Sequence, residues 1–272
     1  MTALNLSGLE GPLTTLALEI PEEGLLVVRL NRPTAGNAIT TRMGEEIIAV
    51  FGSLEADPQG YRCAILTGTG QKVFCGGADL KERDGMTNAD FDKQHYLFER
   101  MIRAIHDCPV PLIASLNGSA VAGGLELALA CDFIVSSDVA RFGFLEVKRG
   151  IMPGGGGTQT LPRTIGLRRA KELILTGDLI DAQQAHAWGM INHLHPQASV
   201  MEEAIKLAQK IIGNAPVAVR QAKKSMHLGT QMDVRTAFFF EAEVYSRVVG
   251  TDDRLEGIRA FVEKRAPRFT GR

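Results

Sequence analysis

Two glutamates stand in otherwise apolar surroundings. Glu126 interrupts Leu125-Glu126-Leu127-Ala128-Leu129-Ala130, and Glu146 interrupts Phe142-Gly143-Phe144-Leu145-Glu146-Val147. A carboxylate withdrawn from water is costly unless it is paired, hydrated or used. Desolvation also raises a carboxyl pKa, as a general acid or base working near neutral pH requires. Each glutamate has a plainer reading: a helix-dipole contact for Glu126, and a salt bridge to Lys148 or Arg149 for Glu146.

Glycine-rich stretches flank both. They are Phe74-Cys75-Gly76-Gly77-Ala78-Asp79-Leu80, Asn117-Gly118 running to Gly123-Gly124-Leu125-Glu126, and Gly150-Ile151-Met152-Pro153-Gly154-Gly155-Gly156-Gly157-Thr158-Gln159. A phosphate loop fits poorly, because G-x-x-x-x-G-K-[ST] is absent and Gln159 stands where a dinucleotide fingerprint needs its last glycine. Backbone N–H groups holding an oxyanion fit better, since glycine lets the backbone come close to a ligand. Gly123-Gly124 opens a predicted helix, where N–H groups are unpaired and the dipole is positive. For one glycine pair alone, a tight strand-to-helix turn explains the pattern equally well.

The elements that must position these residues read as α/β. Leu13–Ile20 and Leu25–Leu30 predict a hairpin around Pro21-Glu22-Glu23-Gly24. Met43, Ile47, Phe51 and Leu54 recur at helical spacing and predict a helix over Arg42–Ala56; Phe91, Phe98, Met101 and Ile105 mark another. Cys63–Thr67, Val73–Cys75, Pro111–Leu116 and Phe133–Ser136 read as short strands of parallel type, and Gly123–Cys131 as a helix. From about residue 200 the pattern is helical only: Met201–Ile212, Val217–His227 with Pro216 in its first turn, Asp233–Val249, and Asp252–Phe261 with Asp252 as N-cap.

Composition excludes several classes. A net charge of -1 gives no reason for a nucleic-acid partner. Cys63, Cys75, Cys108 and Cys131 form no C-x-x-C pair, so neither a disulfide framework nor a zinc site is expected. No apolar run approaches a membrane span, and no basic leader or Arg-rich transit segment is present, so the cytoplasm is the compartment expected. His193 and His195 read as turn residues rather than metal ligands. Lys223-Lys224 with Arg220 reads as a solvated basic face, and Phe238-Phe239-Phe240 as packing in the core or at a subunit contact. Ser119 lacks a matched His and Asp for peptidase chemistry.

The motifs Gly77-Ala78-Asp79-Leu80, Asn117-Gly118 to Gly123-Gly124-Leu125-Glu126-Leu127, Phe142-Gly143 to Glu146, Gly150-Ile151 to Gly157-Thr158-Gln159, and Asp252-Asp253-Arg254 to Phe261-Val262-Glu263-Lys264-Arg265 lie in a telling order. Together they resemble the enoyl-CoA hydratase/isomerase (crotonase) superfamily from about Leu25 to the C-terminus. The resemblance implies an α/β spiral of β-β-α turns over residues 1–200, carrying the CoA and catalytic site. It implies a helical trimerisation region over 201–272, in a homotrimer or a dimer of trimers. It places an oxyanion hole at the N–H groups of Ala78 and Gly123. CoA contacts fall at Ala35, Ala38, Ala78, Asp79, Leu80, Lys81 and Gly154, and Phe261 and Lys264 reach the adenine end, often across a subunit boundary. CoA is part of an acyl thioester substrate, and neither a metal nor a separate cofactor is implied.

Hydratases of the superfamily carry two glutamates, whereas isomerases usually keep one, most often at the position of Glu146. The resemblance therefore implies water addition across the C2–C3 bond of a 2-enoyl thioester, with Glu126 activating water and Glu146 supplying the C2 proton. Phe144 and Leu145 are expected to shape the acyl pocket. Two departures bear on the substrate: Ala122 stands where a third glycine is common, and Leu145 where proline is common. The alternatives are a branched-chain hydratase, a double-bond isomerase, and an acyl-CoA-binding protein without turnover.

Overall fold

The computed structural model describes residues 4, 6, 9–58 and 60–272. Its strands alternate between two sheets. A hairpin of β1 (Leu16–Glu19) and β2 (Leu25–Leu30) leads into three successive couples: β3 (Cys63–Gly68) then β4 (Val73–Cys75), β5 (Leu112–Leu116) then β6 (Ser119–Val121), and β7 (Phe133–Ser137) then β8 (Arg141–Gly143). β9 (Ile180–Asp181) and β10 (His193–His195) follow. The first member of each couple joins a sheet of order β1-β2-β3-β5-β7-β10, and the second joins a sheet of order β4-β6-β8-β9. All joins among β2, β3, β5, β7 and β10 are parallel, and so are β4 to β6 and β6 to β8. Each couple with its following helices makes one turn of a spiral.

The helices are α1 (Thr41–Ala56), α2 (Leu80–Arg83), α3 (Asn88–His106), α4 (Gly123–Leu129), α5 (Gly157–Ile165), α6 (Leu167–Thr176), α7 (Ala182–Ala187), α8 (Val200–Ile212), α9 (Pro216–Gly229), α10 (Val234–Val249) and α11 (Asp252–Glu263). α1 starts where the Thr40 hydroxyl accepts the Met43 N–H, and buries Met43, Ile47, Val50, Phe51 and Leu54 on one face. α3 is capped likewise by Thr87 and buries Phe98, Met101, Ile102 and Ile105. These two faces and the inner sides of both sheets form the main core. A second apolar layer lies on the other face of the large sheet, where Val200, Ala204 and Ala208 of α8 cover Leu25, Cys63, Ile65 and Ile113.

Beyond α8, α9 packs against α10, in which Val244 is the one buried residue. Phe238 and Phe239 are each 67% exposed, so they do not pack in the core of this chain. Lys223, expected on a solvated face, instead pairs with Asp132 at 2.6 Å and donates to the Val110 carbonyl. Two local expectations are corrected. The cap of α11 is Thr251, whose extended backbone aims its hydroxyl at the Arg254 N–H; Asp252 is the first helical residue. His193 and His195 lie in β10, not in a turn. No helix among the described residues is long and apolar enough to cross a membrane.

Candidate active site

The small sheet delivers three functional segments to one place. Ala78 lies three residues after β4, Gly123 two after β6, and Glu146 three after β8. Because these strands are parallel neighbours, the segments emerge side by side around a cavity of about 510 Å³. Ala78, Gly123, Glu126 and Glu146 all line it.

The backbone at Ala78 is held by Ile39, which donates to the Gly77 carbonyl and accepts from the Asp79 N–H. That bridge leaves the Ala78 N–H without an acceptor among the described residues. The Gly123 N–H, at the first position of α4, has none either. Two free donors facing one cavity can grip one carbonyl oxygen. Their approach depends on Gly77, whose φ is +87° and where a Cβ would lie 2.9 Å from Ala122 Cβ and 3.2 Å from Gly123 N. Ala122 pays for the turn before α4: its φ of 51° and ψ of -131° suit glycine, so the missing third glycine leaves an alanine in a strained conformation.

Glu126 is 6% exposed in the first turn of α4. It makes more than a dipole contact: its Oε1 accepts the N–H groups of both Gly155 and Gly157 at 2.8 Å. A Cβ on Gly155 would stand 2.7 Å from Glu126 Oε2, so this close approach requires glycine. Burial raises the Glu126 pKa, opposed by the two glycine N–H groups and by His95. Glu146 begins a 3-10 turn, Glu146–Arg149, and is 7% exposed. It forms no salt bridge to Lys148, which pairs with Asp178, nor to Arg149. Its Oε2 is buried with no hydrogen-bond partner among the described residues. Burial, with the charge of Glu126 adding to it, pushes its pKa up to about 7. A carboxyl group so placed exchanges protons readily at neutral pH.

Other expected residues are placed as follows. Leu80, Leu145 and Gly154 line the cavity. Phe144 does not; it is fully buried behind the wall, with its ring against Gly157. Asp79 caps α2 and pairs with Arg32 at 2.8 Å. Lys81 is exposed, as is Ala35 in the 3-10 turn Pro33–Ala35, and the Ala38 carbonyl accepts from Arg32. These three positions lie close in sequence to the Ile39–Ala78 bridge and do not line the cavity. Phe261 is 85% exposed and Lys264 ends α11, and neither lines the cavity of this chain.

The sequence reading missed Arg83 and His95, which both line the cavity. His95 shares the α3 face of Phe91, Phe98 and Ile102, at offsets of four, three and seven residues, so helical spacing could have found it.

Comparison with known proteins agrees with this geometry. The family model described as enoyl-CoA hydratase/isomerase matches residues 21–272. The short-chain-enoyl-CoA hydratase of Clostridium acetobutylicum is 39% identical over 247 residues, covering 90% of this chain and 94% of that protein. The human mitochondrial methylglutaconyl-CoA hydratase is 38% identical over 266 residues, covering 96% and 78%. The crystal structure of enoyl-CoA hydratase from Bacillus anthracis superposes with a TM-score of 0.93 at 39% identity, covering 95% of this chain and 100% of that one. The chain belongs to the enoyl-CoA hydratase/isomerase family and has the crotonase fold with a helical C-terminal region.

Proposed function

We propose that the protein is a hydro-lyase that adds water across the C2–C3 double bond of a 2-enoyl-CoA thioester. The observation that carries this reading is the meeting of two buried glutamates with two unpaired N–H groups in one cavity. In the proposed reaction the thioester oxygen lies between the N–H groups of Ala78 and Gly123. Glu126, oriented by Gly155 and Gly157, takes a proton from water as the water oxygen bonds to C3. Electron density moves through C2 onto the thioester oxygen, where each N–H donor contributes roughly 3 kcal/mol of barrier lowering. Glu146 then delivers its proton to C2. Net addition of one water is complete, and the glutamates re-equilibrate their proton through solvent. CoA runs past Ala35, Ala38 and Asp79–Lys81 in this reading.

Loss of the conjugated thioester absorbance of crotonyl-CoA tests it directly. Turnover is expected for the native chain and is lost in Glu126→Gln and Glu146→Gln. Unchanged turnover in both variants would refute the mechanism, and conversion of 3-enoyl thioesters alone would make the protein an isomerase. The relatives' names include a short-chain-enoyl-CoA hydratase and a methylglutaconyl-CoA hydratase, so names alone do not choose an acyl group. We also propose assembly through residues 201–272 as a homotrimer or a dimer of trimers, supported by the exposed Phe238 and Phe239. Light scattering should then return three or six times the chain mass of 29.4 kDa, and a monomer would reject it.

A further inference from the structure

The cavity that holds the two glutamates also holds a cation that forms no ion pair among the described residues. Arg83, the last residue of α2, is half-buried and lines the cavity. Its guanidinium carbon lies 4.6 Å from the centroid of the Phe91 ring and 5.5 Å from that of Phe98. Its Nε donates to Gln94 Oε1 at 2.8 Å. Gln94 is 3% exposed and is itself fixed, donating to Thr41 Oγ1 at 3.0 Å and to Glu82 Oε2 at 2.9 Å. The guanidinium is therefore clamped in place by one buried amide and two aromatic rings.

Its terminal nitrogens have no hydrogen-bond or ion-pair partner among the described residues, whereas Arg32, Arg42 and Arg265 all have carboxylate partners. The acidic neighbours spend their hydrogen bonds elsewhere, although the charge of Glu82 acts favourably on the guanidinium. Glu82 accepts from the Thr41 N–H and from Gln94, and Glu126 Oε1 accepts from Gly155 and Gly157. A second cation, Arg149, lines the same cavity and, among the described residues, donates only to the Lys148 carbonyl. A guanidinium keeps its charge at any ordinary pH, and its planar fork matches a carboxylate in two parallel hydrogen bonds. Holding it half-buried and unpaired is unfavourable in a free enzyme and becomes favourable when an anion arrives.

We propose that Arg83 anchors a carboxylate at the far end of the acyl chain, so that the substrate is a 2-enoyl-CoA whose acyl group is a dicarboxylic acid. This rests on reading the cavity as an acyl-CoA site. The phosphates of CoA are the other anions such a substrate brings. The acyl end is favoured because Arg83 shares one cavity with Glu126 and Glu146, which mark the reacting carbons, and because Phe91, Phe98, Met101 and Ile102 supply an apolar wall for the intervening chain.

The test compares two thioesters with the same CoA and chain length. Glutaryl-CoA and valeryl-CoA are titrated calorimetrically into the full-length protein and into Arg83→Met and Arg83→Lys. The native protein should bind glutaryl-CoA about 10- to 100-fold more tightly, as expected for a charge-assisted hydrogen-bonded pair. Arg83→Met should abolish that preference and Arg83→Lys should retain part of it. Equal affinities in the native protein would overturn the proposal, as would an equal loss for both thioesters in Arg83→Met, which would assign Arg83 to the CoA phosphates or to the fold. In turnover, the kcat/KM ratio of glutaconyl-CoA to 2-pentenoyl-CoA should fall by about the same factor in Arg83→Met. If the native protein hydrates neither thioester, the hydratase reading fails, while the titration still decides the role of Arg83.

Discussion

Glu46 on α1 and Glu146 after β8 are both nearly inaccessible to water, and their surroundings could hardly differ more. Glu46 accepts hydrogen bonds from the backbone and hydroxyl of Thr14, the backbone and hydroxyl of Thr15, the Leu16 N–H and the Arg42 guanidinium, at 2.7–2.9 Å. Burial pushes its pKa up, but the hydrogen bonds from Thr15 and Thr14 outweigh that, and the carboxyl is held below its usual value. Glu146 has a buried oxygen with no hydrogen-bond partner among the described residues, and its pKa rises to about 7. One corner uses a carboxylate to pin the chain ahead of β1 onto α1. The other leaves a carboxyl oxygen unsatisfied beside a second carboxyl in a cavity, the arrangement expected of a site that acts on a ligand.

The largest effect expected from breaking this contrast is kinetic. Glu146→Gln keeps the shape and removes the titrating proton, so hydration should slow by about 10²- to 10⁴-fold, the usual worth of a general acid or base. Steady-state kinetics with crotonyl-CoA measure it, and a loss below threefold would place Glu146 outside the chemistry. Next comes stability. Glu46→Gln replaces a sixfold acceptor with a group that must donate from one end, and should destabilise the fold by about 2–4 kcal/mol. Urea unfolding reads this, while kcat per folded molecule should hold because Glu46 does not line the cavity.

The smallest effect is a pH dependence of opposite sign in the two corners. The folded pKa of Glu146 lies above the unfolded value of 4.5, so its contribution to stability is fully present below pH 4.5 and is lost as pH rises through about 7. The folded pKa of Glu46 is depressed, so its contribution is present above 4.5 and is lost as pH falls through the folded value. Urea unfolding at pH 5 and pH 8 should show Glu146→Gln gaining on the native protein as pH rises. A gap that stays constant would contradict the raised pKa.

Glu126 and Glu146 were legible in the sequence because a charge in an apolar run is conspicuous at any level of description; Glu46, which follows Glu45 on a helix, was not. The longer elements were legible too: α1, α3 and the buried strands β3, β5 and β7 each carry a full period of pattern, and the β1–β2 hairpin carries its turn. β6 and β8 were not, since each is three residues long and, unlike Val73-Phe74-Cys75 of β4, is not a wholly apolar run: Ser119-Ala120-Val121 and Arg141-Phe142-Gly143 carry polar residues or glycine. α5 was hidden by its glycine-rich start and by Pro162 within it. Arg83 was hidden for another reason. In Leu80-Lys81-Glu82-Arg83 it reads as one more charge on a solvated helix end, and only the packing of α2 against Phe91 and Phe98 turns it inward.

The parallel run β4-β6-β8 has a consequence for how such a protein can change. Each strand hands over one working part at its end: the first N–H donor, then the second with Glu126, then Glu146. The parts are joined by the sheet and not by one another, so each loop is a replaceable module. Randomising the stretch from Leu145 to Arg149 would alter the proposed proton donor and the cavity wall beside it while leaving the proposed carbonyl grip at Ala78 and Gly123 untouched. A library confined to those five positions would therefore search new reactions on the proposed thioester substrate without changing the segments proposed to hold it.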